Sequence, residues 1–246
     1  MEYNETLNLL LRSKSVRVFE DREITAQEKE AIFRAAMAAP TAGNQQLYTI
    51  LDITDPALKE RLVETCDHQP FIAQAKMVLI FCADVRRWVD IFEEAGAKPR
   101  RPGPGDLLLA CSDACIAAQN AVVAAQSMGI GACYIGDIME NRERQCELLG
   151  LPEYVFPAAM VVFGYPTQQQ LERPKPRRCA VEEIVMENRY RARNGQALRA
   201  MTEKDWGHTD FENWAARFCE RKYNSDFSRE MSRSVGEYLK EYSGEN

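Results

Sequence analysis

Residues 106–136 read DLLLACSDACIAAQNAVVAAQSMGIGACYIG, and the fold turns on how this stretch is read. Ala110, Ala114, Ala117, Ala118, Ala121 and Ala125 recur at helical spacing, so a helix over 106–128 offers a flat side that another element can approach closely. That describes a central, buried helix. Gly129 and Gly131 then punctuate a turn into a short strand at 133–135.

Working outward, residues 77–83 (MVLIFCA) form a continuous apolar run, as expected of a strand covered on both faces. Residues 48–53 and 159–163 read as further strands, giving four strands among many helices. Thr25 with Glu28 three residues later forms a capping box, followed by Ile32, Ala35, Ala36 and Ala39 at helical spacing, and Pro40 ends that helix. Helices are also predicted over 56–66, from about 86, and over 142–149. Between them, residues 97–105 (AKPRRPGPG) hold three prolines and two glycines, which neither helix nor strand tolerates, so this is a loop in the position of a lid.

The 246 residues are 46% hydrophobic and 28% charged, which excludes disorder and fibrous architecture. A net charge of −6 excludes nucleic-acid binding through global charge, so any anion site is local. The run 77–83 falls far short of the roughly 20 residues that span a bilayer, and no membrane segment is expected. The polar, acidic start lacks a secretory pattern, which predicts a cytoplasmic protein. Eight cysteines lie in apolar surroundings without a CxxC pair, and only His68 and His208 could join them around zinc. Buried reduced thiols and no metal site are the expectation.

The main body is expected to span 1–190, with a helical tail over 191–246. Phe211, Trp214, Ala215 and Phe218 make one apolar stripe there, behind a second capping box of Thr209 and Glu212. Met231, Val235, Tyr238, Leu239 and Tyr242 make another. Periodicity leaves open whether these faces dock on their own body or on a partner subunit.

Two basic clusters could hold an anion. Arg12, Ser13, Lys14, Ser15 and Arg17 combine cations with hydroxyls, a combination suited to phosphate; Arg173, Lys175, Arg177 and Arg178 are interleaved with Pro174 and Pro176, which keep the chain extended. Taken singly, each is equally a solvated basic loop. Residues 39–46 (APTAGNQQ) form a turn-rich segment whose amides and side chains suit a polar ring edge. No P-loop, nucleophile elbow, HExxH or Cys–His pair is present, and GIGACYIG at 129–136 lacks the spacing and preceding strand of a dinucleotide fingerprint.

In order, SKSVRVF (13–19), APTAGNQQ (39–46), HQPFIAQAKMVLIFCAD (68–84), AQNAVVAAQSMGIGACYIG (118–136) and VFGYP (162–166) followed by PKPR (174–177) resemble the nitroreductase family. These are FMN-dependent flavoproteins that include NADPH-dependent oxygen-insensitive nitroreductases and NAD(P)H flavin reductases. The resemblance implies an α+β fold: a central mixed, mainly antiparallel sheet flanked by helices, with an extended C-terminal tail. It implies that Ser13, Lys14, Ser15 and Arg17 reach the FMN phosphate and pyrimidine, and that Lys175 and Arg177 clamp the phosphate. Thr41 and Asn44 would meet the flavin of the other subunit, placing the active site across a homodimer. Gln69 and Phe71 would flank the ring, and Tyr134, Ile135, Gly136 and Asp137 would run over it. Two departures stand out: Ser13 occupies a position often basic in relatives, and Asp137 one often glycine.

The implied reaction passes hydride from NADPH or NADH through FMN to a flat, electron-poor acceptor such as a nitroaromatic, quinone or flavin by ping-pong transfer, with no catalytic acid or base of the chain's own. The alternatives are a non-catalytic FMN-binding or storage protein and another flavin reductase on this fold, such as a dehalogenase. The dehalogenase would grip a zwitterion with polar lid residues, whereas the lid here offers Lys98, Arg100 and Arg101 without an acidic or aromatic partner. Arg191, Arg193 and Arg199 fit either a 2′-phosphate or plain solvent exposure.

Overall fold

The computed structural model describes residues 3–244. Chain order is α1 (Glu5–Arg12), α2 (Ala26–Met37), β1 (Tyr48–Asp52), α3 (Pro56–Thr65), α4 (Phe71–Gln74), β2 (Met77–Asp84), α5 (Arg86–Glu94), α6 (Pro104–Ser127), β3 (Gly131–Ile135), α7 (Arg142–Leu149), β4 (Val155–Gly164) and α8 (Gln168–Glu172). After these come α9 (Val181–Ile184), α10 (Gly195–Trp206), α11 (Phe211–Lys222) and α12 (Asp226–Ser243).

The four strands form one sheet in the order β1-β2-β4-β3, and every ladder is antiparallel. The only parallel pairing among the described residues is a single bridge between Ser15 and Ala132. β2 and β4 are central, and β2 is buried along its whole length, which is why its sequence does not alternate. Leu79, Phe81, Val161 and Phe163 face α2 and the alanine side of α6; Val78, Ile80, Met160 and Val162 face Leu62 of α3 and Ile72 of α4. The result is a sheet between two helical layers. Pro157 fits inside β4 because the register slips there: Phe81 pairs with Ala159 and Cys82 with Pro157, leaving Ala158 over as a bulge.

Helix α6 begins two residues earlier than its alanine stripe suggests. Pro104 supplies the first turn, and the Asp106 carboxylate reaches back to the Gly103 amide at 2.8 Å. By length and composition α6 could cross a membrane, which the seven-residue run at 77–83 does not suggest; its alanine face is the buried centre of this fold. Arg100 forks onto Asp106 at 2.6 and 2.9 Å, and Arg101 donates to the Glu241 carbonyl, so the proline-rich loop is anchored at both arginines. All eight cysteines are free thiols, and burial pushes Cys66, Cys82 and Cys111 up to about 12.

Contacts divide the chain into two compact units. The first runs to Arg173 and resumes at Glu230; the second is Pro174–Arg229. The break thus falls at Pro174, whereas the sequence suggests a boundary near Tyr190. Within the first unit, α12 packs Tyr238 edge-on to Phe156 at 4.9 Å and Tyr242 edge-on to Tyr154 at 5.3 Å. Glu241 pairs with Arg142 and also accepts from the Tyr154 amide. Within the second unit, the expected capping box at Thr209 does not form. The N-cap position falls one residue later, at Asp210, the helix begins at Phe211, and Glu212 is held by Arg199.

Two glycines let the N-terminal segment close onto the sheet. A Cβ on Gly131 would meet Val16 at 2.6 Å, and one on Gly164 would meet Phe19 at 2.6 Å. Gly131→Ala should therefore force residues 15–19 off the sheet and lower stability by about 1–3 kcal/mol. A denaturant titration beside Gly105→Ala, where the added methyl meets open space, checks this.

Candidate functional site

The basic turn at 13–17 follows α1 and lies along β3 through the Ser15–Ala132 bridge and the Val16 amide, which donates to the Ala132 carbonyl at 2.9 Å. Two of its side chains are engaged by the fold: Ser13 Oγ accepts from Gln126 Nε2 at 2.8 Å, and Lys14 Nζ donates to the carbonyls of Leu171 (2.8 Å) and Arg173. Arg17 is different. Its amide is held by Gln170 Oε1 at 3.3 Å, its guanidinium lies 5.9 Å from the Phe71 ring centre, and no carboxylate pairs with it among the described residues. Burial raises the Cys133 thiol, while Arg17 and Ser15 beside it pull the other way.

Gln69 follows two residues in the left-handed region, Asp67 (φ 56°) and His68 (φ 50°). Its amide donates to the Cys66 carbonyl and to Asp137 Oδ2, both at 3.0 Å, and so bridges the loop before α4 to the 3-10 turn at Gly136–Met139. Ser15, Arg17, Phe71, Gln69 and Asp137 are therefore brought together near the end of β3. Tyr134 stands 42% exposed on that strand and donates to Gln119 Oε1 at 3.3 Å, Gly136 is exposed beside it, and Ile135 turns into the core.

The loop at 41–46 is organised by a residue that the sequence reading passes over. Asp113, 3% exposed on α6, accepts from the Thr41 hydroxyl, the Ala42 amide (3.1 Å) and the Leu47 amide (3.2 Å). Thr41 is thus turned inward, while Asn44 takes a left-handed conformation (φ 57°) at the tip. The available signal is a carboxylate on the buried alanine face, between Ala110 and Ala114. Trp88 Nε1 donates to the Gln45 carbonyl at 2.9 Å and lines a cavity of about 460 Å³ with Leu47, Phe92 and Leu109, beneath the 97–102 loop. None of the expected cofactor residues lines that cavity.

Lys175 and Arg177 lie in the second unit, on the extended run before α9, where Arg177 passes against Gly207. Of the three arginines considered for a 2′-phosphate, Arg193 pairs with Glu183 at 2.6 Å and Arg199 with Glu212, while Arg191 has no carboxylate partner among the described residues.

The first-unit cluster fits a flavin by its chemistry. It offers a cation without a carboxylate, a hydroxyl at Ser15, an amide side chain at Gln69, an aromatic face at Phe71, and exposed backbone at Gly136, all next to a strand end.

The model of the Nitroreductase family matches residues 11–165. The chain is 35% identical over 199 residues to an oxygen-insensitive NADPH nitroreductase of Salmonella typhimurium, covering 81% of this chain and 80% of that protein. It is 30% identical over 210 residues to an FMN reductase (NADPH) of Bacillus subtilis, covering 85% and 83%. Among solved structures, the NfrA1 nitroreductase from B. subtilis superposes with a TM-score of 0.84 at 27% identity, covering 98% of this chain and all of that one. The matched segment carries the basic turn, the sheet and the Gln69–Asp137 link in one continuous run, and the chain belongs to the Nitroreductase family.

Proposed function

We propose that this protein is an FMN-dependent oxidoreductase that passes hydride from NAD(P)H to nitroaromatic, quinone or flavin acceptors by ping-pong transfer. The observation that carries this reading is the convergence of Arg17, Phe71, Gln69 and Asp137 beside the exposed end of β3. Bound FMN supplies reversible two-electron chemistry. The residues of the chain hold and shape it. Ser15 and Arg17 would hold its polar edges, and the family resemblance assigns Lys175 and Arg177 to its phosphate. Gln69 offers an amide edge whose orientation is fixed by Cys66 and Asp137. Arg17 would supply the positive charge that favours the reduced, anionic form of the group. Ser13 and Lys14 act indirectly in this arrangement, fixing the turn through Gln126 and the carbonyls after α8.

The proposal includes a homodimer. Leu108, Leu109 and Ile116 of α6 are 67%, 45% and 40% exposed, an apolar face that a second copy would cover. The Thr41–Asn44 loop, pinned to α6 by Asp113, would then be presented to the partner's flavin.

An absorbance spectrum of the purified protein, followed anaerobically by NADPH and then a nitroaromatic, tests the reading. Flavin bands that bleach with NADPH and return with the acceptor support it. Bands that persist with both NADPH and NADH point to an FMN-storage protein, and protein that takes up no FMN sinks it.

A further inference from the structure

No residue of α5 is buried, although Trp88, Val89 and Phe92 give it an apolar side. That side lines the cavity of about 460 Å³ beneath the 97–102 loop, together with Leu47, Val85 and Leu109. The volume lies within the range of about 300–1,000 Å³ in which small molecules are held, and a mostly apolar wall with few polar groups is their usual surrounding. Trp88 and Phe92, one helical turn apart, set their ring centres 5.5 Å apart at 45°, so two aromatic surfaces border the same space.

The walls and the roof are fixed before anything enters. The Trp88 indole is held by the Gln45 carbonyl at 2.9 Å. The roof is tied down twice, by the Arg100 fork on Asp106 at 2.6 and 2.9 Å and by Arg101 on the Glu241 carbonyl at 3.0 Å. A site that needs no ordering on binding loses little affinity to entropy. Because a loop covers this side of α5, the space suits a small molecule rather than a partner's helix.

Charge narrows the choice of ligand. Arg100 and Asp106 satisfy one another, which leaves Lys98 as the cation of the lining without a carboxylate partner among the described residues. None of the residues assigned to the flavin lines this cavity, so the inference does not depend on the FMN reading.

We propose that this cavity is a further binding site, which takes a flat aromatic molecule carrying one carboxylate, with its rings against Trp88, Phe92 and Leu109 and its carboxylate on Lys98. The apolar walls supply most of the affinity, and Lys98 selects the sign of the charge.

The probe is 2-naphthoate, titrated calorimetrically into the purified protein with and without added FMN. Binding of similar strength is expected in both, with quenching of tryptophan fluorescence that is largely lost in Trp88→Phe and with flavin bands that stay unmoved. Val89→Trp fills the space and should abolish binding. Lys98→Glu, at an exposed position, should weaken 2-naphthoate about 10-fold or more and turn the preference toward 2-naphthylmethylammonium. Affinity unchanged in Val89→Trp, quenching that persists in Trp88→Phe, or flavin bands that shift along the same isotherm put the ligand elsewhere and overturn the site. A wild-type dimer that takes up no 2-naphthoate shows that a second copy fills the space, through the α6 face that Leu109 shares, and overturns it as well. If Val89→Trp does not fold, Lys98→Glu decides: an unchanged preference for the anion overturns the proposal.

Discussion

Replacing Asp113 with alanine is expected to lower stability by about 3–5 kcal/mol, because the substitution removes the acceptor shared by the Thr41 hydroxyl and the Ala42 and Leu47 amides. Leu47 is 5% exposed, so water cannot replace the lost partner at its amide. Asparagine keeps the shape and one accepting oxygen, and Asp113→Asn should lose about 1–2 kcal/mol. Urea titrations give both values. Glu30→Ala serves as control, since the exposed Glu30–Arg34 pair contributes about 0.5 kcal/mol at most. A loss in Asp113→Ala no greater than in the control would show that the loop holds its form without the carboxylate. If the loop serves a partner's flavin, FMN affinity should fall in Asp113→Asn by more than the stability change predicts.

The second large effect concerns FMN itself. Lys175→Ala with Arg177→Ala removes two cations assigned to the phosphate, each charge-assisted contact being worth about 1.5–3 kcal/mol, so affinity should fall about 10²–10⁴-fold. Fluorescence titration with FMN measures it, beside Arg34→Ala, which removes an exposed cation of α2. Added salt should weaken wild-type binding more than that of the double variant. A double variant that holds FMN as tightly as the wild type removes the clamp assignment and leaves the phosphate to Ser15 and Arg17.

Much of the architecture is legible because it rests on local signals. β2 announces itself by an unbroken apolar run, α6 by alanines at helical spacing, and α2 by a capping box that forms in full, with the Glu28 carboxylate on the Thr25 amide at 2.8 Å. The same signal misleads at Thr209, where Arg199 competes for Glu212, a partner thirteen residues away in the chain. Long-range pairing is what the sequence hides. Asp113 and Thr41 are 72 residues apart, and Gln69 and Asp137 are 68 apart. The stripe on α12 was readable as amphipathic, but an apolar face looks the same whether its own body or another chain covers it. The pairings of Tyr238 with Phe156 and of Tyr242 with Tyr154 distinguish the two. Glu140 carries no sequence signal, since a glutamate next to an asparagine in a turn reads as exposed; its burial comes from α12 returning over the turn.

That return makes Pro174–Arg229 an insertion rather than a terminal appendage. Both of its ends are tied to the same body, one through α8 and the other through α12. A single protease cut inside it would leave two fragments that copurify, because the piece carrying Tyr238, Glu241 and Tyr242 is still locked in place. Its length can also change over evolution without disturbing the sheet, because both of its ends leave from and return to elements of the first unit.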